Sequence, residues 1–417
     1  MTYIEFFEKH SVENLCACLA KCPERLILIG DSKKEMQKHA ERYKCIFAER
    51  GYEIEIIYRS ISKYNISDMI DVLSDIVSTY DECAFGLTGG EDLYLVAMGI
   101  VFERYKDKKI QMHKFNIRNN KVFDCDMDRQ YLETEYSPSL SVWENIYSHG
   151  GDIISDPSRE DATFFWNWED GLQDDINIMW DICRQNIRDW NAQITVLGIM
   201  SQLTDEQEDP MTISASIYSI VNGSDNIPVG YVYYPDIIRS LYNAGLITAY
   251  EYTDTQFWVT FKNEQIKRCL IKAGQILEMK VYQEALIVKT PDGEYVYNDV
   301  LNGVYIDWDG EFHTEKEGYD TENEIDVMMM HGMIPVFVSC KNGRVEIAEL
   351  YKLNTVANRF GGKYAKKILV ASSLEKDSDY ANYLRQRAKD MQIRIVEDIV
   401  DMSDDELRET IQTFWLN

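Results

Sequence analysis

Positive charge is what this chain is short of. Its 417 residues hold 43 lysines and arginines against 71 aspartates and glutamates, a formal net charge of −28. A protein that clings to nucleic acid by bulk attraction needs the opposite balance, so any nucleic-acid substrate must be met by a local basic groove. Long uncharged apolar runs are missing too, which argues against a membrane span. The opening MTYIEFFEKH carries early acids and no signal-peptide pattern, so a cytoplasmic protein is expected. The nine cysteines are scattered. Cys16, Cys18 and Cys22 cluster on an expected helix, but no second ligand cluster accompanies them, and they read as reduced thiols. There is no Walker loop, no GxGxxG and no repeat, so neither a mononucleotide enzyme nor a solenoid is indicated.

What is present is enough apolar material, 45% of residues, for two or three domains. Residues 1 to about 130 alternate strand and helix. Strands are expected at 25–30, 53–58, 84–88 and 111–116, and helices at 33–50, 67–80 (capped by Ser67) and 91–105. Such alternation predicts a parallel sheet covered on both faces, with ligands beyond the C-terminal strand ends. Two loops fall there. Gly30, Asp31, Ser32 and Lys33 follow the first of these strands; Thr88, Gly89, Gly90 and Glu91 follow a later one. Each runs into a helix N-terminus, whose free N–H groups favour anions.

Residues 131–170 hold acidic text at 155–161 and the aromatics Phe164, Phe165, Trp166 and Trp168, for which packing between domains outweighs base stacking. One long helix is expected at 174–203. A small winged-helix-like unit follows at 211–262, with helices at 213–221 and 235–243 and a wing formed by 246–250 and 257–261; Arg239 is the base near its second helix. A helix at 264–283 carries Glu278. Strands are expected at 285–289, 295–300 and 303–308, and after a hairpin come helix 345–359, strand 368–371, helix 380–391, strand 393–396 and a helix from Ser403. Arg359, Lys363, Lys366 and Lys367 form the clearest basic run.

The hairpin, Thr321 to Gly343, organises the rest. Side chains alternate across a strand, so Glu324 and Asp326 share a face, and Ser339 and Lys341 share one on the return strand. Two carboxylates and an ammonium converging at one end of an apolar sheet suit a hard divalent cation beside a group that steadies a water or a phosphate oxygen.

This arrangement resembles the PD-(D/E)xK nuclease core. Asp326 matches its first acid and Lys341 its lysine, while Ser339 stands where the second acid usually sits. The missing metal ligand would come from Glu324 or from Glu278. Asp31-Ser32 after a strand and Leu87-Thr88-Gly89-Gly90 resemble a CARF domain, the Rossmann-like sensor of CRISPR-associated proteins; the family often continues the second loop with Thr-Lys, where this chain has Glu91-Asp92. The whole chain is similar to the CARF–nuclease fusions of type III CRISPR systems, the Can and Card ancillary nucleases. The expected fold class is therefore α/β: a Rossmann-like CARF sensor domain at 1–150, a helical linker with a winged-helix-like unit at 151–262, and a PD-(D/E)xK restriction-endonuclease-like domain at 263–417.

The resemblance implies a homodimer that binds cyclic oligoadenylate, commonly the tetra-adenylate, through Gly30, Asp31, Ser32, Lys33, Thr88, Gly89, Gly90 and Glu91. It implies a manganese- or magnesium-dependent nuclease that cuts single-stranded DNA or RNA and nicks duplex DNA, with Asp326, Lys341, Ser339 and Glu278 at the catalytic centre and Asp326, Glu278 and Glu324 as metal ligands. The competing reading is a non-catalytic, ligand-responsive DNA-binding regulator with a decayed nuclease core. A ring nuclease that degrades its own signal is a third, without an evident base in either loop.

Overall fold

The computed structural model describes residues 1–8, 12–125, 137–159, 161–168, 171–204, 209–223, 231–311, 313, 322–374 and 378–416. Thr321, Glu160 and residues 224–230, which fall in segments singled out from sequence, lie outside these. No helix among the described residues is long and apolar enough to cross a membrane.

The first sheet contains Thr2–Phe6 (β1), Arg25–Gly30 (β2), Glu55–Ser60 (β3), Cys83–Gly86 (β4), Ile110–Asn116 (β5) and Lys121–Asp124 (β6), in the order β3-β2-β1-β4-β5-β6. All pairs are parallel except β5–β6. Helices Val12–Lys21 (α1), Lys33–Glu49 (α2), Ile66–Thr79 (α3) and Asp92–Arg104 (α4) cover it. Ile4, Ile27, Ile29 and Phe85 face α3 and α4, while Tyr3, Leu26 and Leu28 face α1 and α2. The central strand β1 was not assigned from sequence, because the acid Glu5, fully buried, interrupts its apolar text. The cap of α3 is Asn65 rather than Ser67: its Oδ1 accepts from the N–H groups of Ser67 and Asp68 at 3.1 and 3.3 Å.

Helix Val142–Ser148 (α5) leads to the short strand Asp152–Ile153 (β7), which pairs with a strand of the third sheet. The long helix expected at 174–203 is two, Leu172–Gln185 (α6) and Ile187–Leu203 (α7). Asn186 separates them and caps the second by accepting from Asp189 N–H at 3.1 Å. In the small unit, Thr212–Ser216 (β8) is a strand where the first helix was expected, and helix Ile217–Asn222 (α8) is shorter. Helix Pro235–Asn243 (α9) and the ribbon Ile247–Tyr252 (β9) and Gln256–Phe261 (β10) follow expectation. The three strands pair in the order β8-β10-β9.

The helix expected at 264–283 also breaks, into Glu264–Ile271 (α10) and Gln275–Ile287 (α11), at Gly274 with φ +89°. Helix α11 takes residues 285–287 of the strand expected at 285–289, and Lys289 makes only an isolated bridge with Tyr295. The next two expected strands are one, Asp299–Asp307 (β11). Then come Glu322–His331 (β12), Ile334–Lys341 (β13), Ile347–Gly361 (α12), Lys366–Ala371 (β14), Asp379–Asp390 (α13), Arg394–Val396 (β15) and Asp404–Gln412 (α14). The third sheet has the order β15-β14-β13-β12-β11-β7. One face packs on α6, α7 and α11; the other, on α12, shares a continuous core with α1 and α2 of the first sheet. Charge-assisted bonds reinforce that junction: Arg42 of α2 donates to the carbonyls of Tyr147, Gly151 and Asp309 at 2.9–3.1 Å, and Arg50 chelates Glu144 at 2.6 Å. Such bonds stabilise by about 1.5–3 kcal/mol each.

Candidate active site and ligand loops

The third sheet changes character at one position. Ile325 and Val327 are two residues apart on β12, yet they pack into different cores, as do Asn302's neighbours Val300 and Val304 on β11. Between them Gly303 has φ +56°, opposite Asp326 in the register. A side chain is strained in that conformation, so glycine lets both strands turn over here. The β12–β13 ladder also ends at this level, its last pair being Val327 with Val338. Beyond it the Asp326 carboxylate replaces the backbone: Oδ2 accepts from Cys340 N–H at 2.6 Å and from the Ser339 hydroxyl at 3.2 Å.

Lys341 Nζ lies 3.7 Å from Asp326 Oδ2 and 3.0 Å from Glu349 Oε2 on α12. Burial works against its charge, but Asp326 and Glu349 together raise its pKa. Burial likewise raises Asp326, with Lys341 and the Cys340 amide opposing. Glu278 on α11 is buried, and its Oε2 has no hydrogen-bond partner among the described residues. Desolvation, then the charge of Asp326, push its pKa up to about 8. Glu324 is drawn aside into an ion pair with Lys272, at the α10–α11 break. Glu324, Asp326, Ser339 and Glu349 line one small cavity of about 10 Å³. No group of three or more His, Cys, Asp or Glu side chains is arranged to hold a metal among the described residues. Oxygen donors, one of them buried and orphaned, nonetheless suit a hard divalent cation in their chemistry.

At the first sheet, Ser32 caps α2, accepting from Glu35 N–H at 3.4 Å. Asp31 pairs with Lys63 at 3.2 Å, and Glu91 lies 3.9 Å from the same ammonium. Lys33 lies 5.7 Å from the ring centre of Tyr58. Thr88 turns inward, where its hydroxyl accepts from Phe115 N–H at 3.0 Å. The Gly90 N–H donates to Glu8 Oε1 at 2.8 Å, and Gly90 has φ +115°. A Cβ on Gly89 would come within 2.7 Å of Glu8 and 3.5 Å of Glu13. The two sequence-derived loops therefore lie together, with Lys63 between them.

Compared with solved structures, the chain matches protein VC1899 from Vibrio cholerae over 99% of its own length and 97% of that chain, with a TM-score of 0.72 and 15% identity. It matches Can2 from Sulfobacillus thermosulfidooxidans, solved in complex with cyclic tetra-adenylate, over 99% and 97%, with a TM-score of 0.62 and 16% identity. A type III CRISPR defence DNA nuclease activated by cyclic oligoadenylate matches 90% of this chain, which spans 46% of that one, with a TM-score of 0.51 and 13% identity. No family model and no curated protein matches the sequence. The chain has the fold of these solved proteins. It is the α/β architecture, a Rossmann-like sheet joined to a nuclease-like one, that the resemblance to CARF–nuclease fusions implies.

Sequence reading missed Lys63, Glu8, Glu13, Lys272 and Glu349. Lys63 follows β3 and so had the same strand-end signal as the two loops singled out from sequence; Lys272 had the Ala273-Gly274 break beside it. The basic run at 359–367 is largely engaged within the protein. Arg359 donates to His149 O and Trp308 O at 2.7 and 3.3 Å, Lys363 pairs with Glu13, and Lys367 donates to Asn354 Oδ1 and Met391 O at 2.9 and 2.6 Å.

Proposed function

We propose that this protein is a cyclic-oligoadenylate-activated, metal-dependent nuclease of type III CRISPR defence that acts in the cytoplasm on single-stranded nucleic acid. The observation that carries the reading is the pairing of Asp326 with Lys341 at 3.7 Å beside the orphaned carboxylate of Glu278, in a fold shared with a protein solved with cyclic tetra-adenylate bound. The sensor is assigned to residues 1–150, the linker and small unit to 151–262 and the nuclease to 263–417.

Asp326 and Glu278 would hold the manganese or magnesium ion, with Glu324 in reserve on the same cavity wall. A bound divalent ion supplies Lewis-acid polarisation of the phosphate and a more acidic water. The chain's own part is orientation and charge. Cys340 N–H and the Ser339 hydroxyl fix the Asp326 carboxylate, so Ser339 acts as a positioning group. The Lys341 ammonium stands where it can stabilise negative charge growing on the phosphate oxygens. In the present state Glu349 holds that ammonium more closely than Asp326 does.

At the other end, Gly30, Asp31, Ser32, Lys33, Thr88, Gly89, Gly90 and Glu91 form the proposed ring site, with Lys63 as an added cation. The exposed apolar side chains Tyr64, Leu93 and Val96 flank these loops and offer a surface to a second copy of the chain. The test is to mix purified protein, manganese and labelled single-stranded DNA or RNA with and without cyclic tetra-adenylate. Cutting that requires the ring and is lost in Lys341→Ala is expected. No cutting with ring and metal present, or undiminished cutting by Lys341→Ala, overturns the assignment.

A further inference from the structure

A second, larger cavity of about 390 Å³ lies next to the acid cluster, linked to it through the partner of Glu324. Lys272, ion-paired with Glu324, lines it, as does Gly303, where an added Cβ would lie 3.9 Å from Glu324 Oε1. The volume falls in the range of roughly 300–1,000 Å³ typical of small-ligand pockets. Its walls carry three aromatic rings and two cations. Phe164 and Trp166 meet edge to face, 4.9 Å between ring centres at 80°. The Arg268 guanidinium lies over Phe164, 4.2 Å from its centre. Tyr305 has the Lys272 ammonium 5.9 Å from its ring centre. All five line the cavity.

The cavity is also wired to the catalytic strand. Asn302, itself 3% exposed, accepts from Trp166 Nε1 at 3.2 Å and from Gln275 Nε2 at 3.0 Å. Its own amide donates to the backbone carbonyl of Asp326 at 2.9 Å. One buried side chain thus holds the aromatic wall, helix α11 and the Asp326 peptide in fixed relation.

We propose that this cavity is a base-binding subsite, in which an unpaired nucleobase flanking the scissile phosphate stacks on Phe164, Trp166 or Tyr305 while Arg268 and Lys272 meet the adjoining phosphates. The proposal rests on the nuclease reading above and names its substrate as single-stranded, because rings of this kind reach only bases that are free of a duplex stack. It also addresses the charge of the chain: aromatic stacking does not depend on a basic surface, which this protein lacks at −28. Lys272 is then shared between Glu324 and an incoming phosphate, so that strand binding releases Glu324 towards the metal-binding acids.

The test measures binding and cutting separately. Fluorescence anisotropy would follow a labelled oligothymidine, and the same strand with abasic sites, binding to full-length Lys341→Ala protein with cyclic tetra-adenylate present. In that background Phe164→Leu and Tyr305→Leu are compared with their parent, after thermal melts show that each folds. Each should weaken oligothymidine binding about tenfold and leave abasic-strand binding within about twofold. Equal loss with the abasic strand, no loss with either, or duplex bound as tightly as single strand would overturn the subsite. Cutting assays on proteins with Lys341 intact keep the two claims apart. Weakened binding in a protein that never cuts rejects the nuclease and keeps the subsite; ring-dependent cutting with unaltered binding does the reverse.

Discussion

At the strand-end loops of the first sheet, Asp31 and Glu91 stand half exposed and share one ammonium, Lys63, at 3.2 and 3.9 Å. At the acid-bearing end of the third sheet, Glu278 is buried with an oxygen that meets no partner among the described residues, and Asp326 is satisfied by a peptide N–H and a hydroxyl. Both places concentrate carboxyl groups, yet they hold them differently. Water screens the open loops, where an ion pair is worth little and can be exchanged at small cost. The closed site holds carboxyl groups that are expensive to ionise where they are buried, and a cation would lower that cost. A series of contacts lies between the two places. Glu13 lies beside Gly89 and accepts from the Tyr364 hydroxyl at 3.0 Å, in the turn that ends α12, and α12 carries the Glu349 that holds Lys341.

The sharpest break in the comparison comes from disabling one end alone. Asp326→Asn should lower ring-dependent cutting at least about a hundredfold while cyclic tetra-adenylate binding, measured by calorimetry, stays unchanged. Loss of ring binding in that variant would show that the two ends are not separable. The reciprocal change, Lys63→Ala, leaves Asp31 and Glu91 without their shared counter-charge. Ring affinity should fall roughly tenfold, by more at low salt than at high, and saturating ring should restore the cutting rate. An affinity insensitive to salt would mean Lys63 serves only its own loop.

Those contacts make a smaller prediction. Glu13→Gln keeps the shape of the contact with Tyr364 but removes the charge that pairs with Lys363. Ring binding should change by less than about threefold, while the stimulation of cutting by ring falls about five- to tenfold, within the usual range of coupling between sites. Full stimulation in the variant would assign the coupling to other contacts.

How much of this was legible beforehand depends on the range of the interaction. That Asp326 and Lys341 come near one another could be expected because strand alternation is local and a hairpin brings its two arms side by side. That the two glycine-bearing loops lie together could be expected because a parallel sheet gathers the ends of its strands along one edge. Glu349 and Glu13 were invisible, since their partners lie 8 and 351 residues away across packed helices. Strand β1 was hidden by Glu5. Residues 285–287 of the strand expected at 285–289 went to α11 because a short apolar run reads equally as either element, and the helix begun at Gln275 had packing to extend it. Glu324 went to Lys272 because alternation fixes which face a side chain takes, not which of two cations it meets there.

The smallest expected effect concerns the cost that the closed site carries. Glu278 has a folded-state pKa of about 8, raised from an ordinary value of 4.5. Between those values the folded protein keeps a proton that the unfolded chain has released, so stability falls as pH rises through this window and the penalty is complete above about 8. Glu278→Gln cannot ionise and escapes the penalty. Its melting temperature should exceed that of the parent by on the order of 2–4 °C at pH 9, with the gap closing towards pH 5. Manganese should raise the parent's melting temperature at pH 8 and leave the variant nearly unmoved, because a cation repays a buried carboxylate and not an amide. A parent that is equally stable across pH 5–9, or a variant that gains as much from manganese, would place the cost of burial on another residue and make the two ends of the molecule more alike than their geometry indicates.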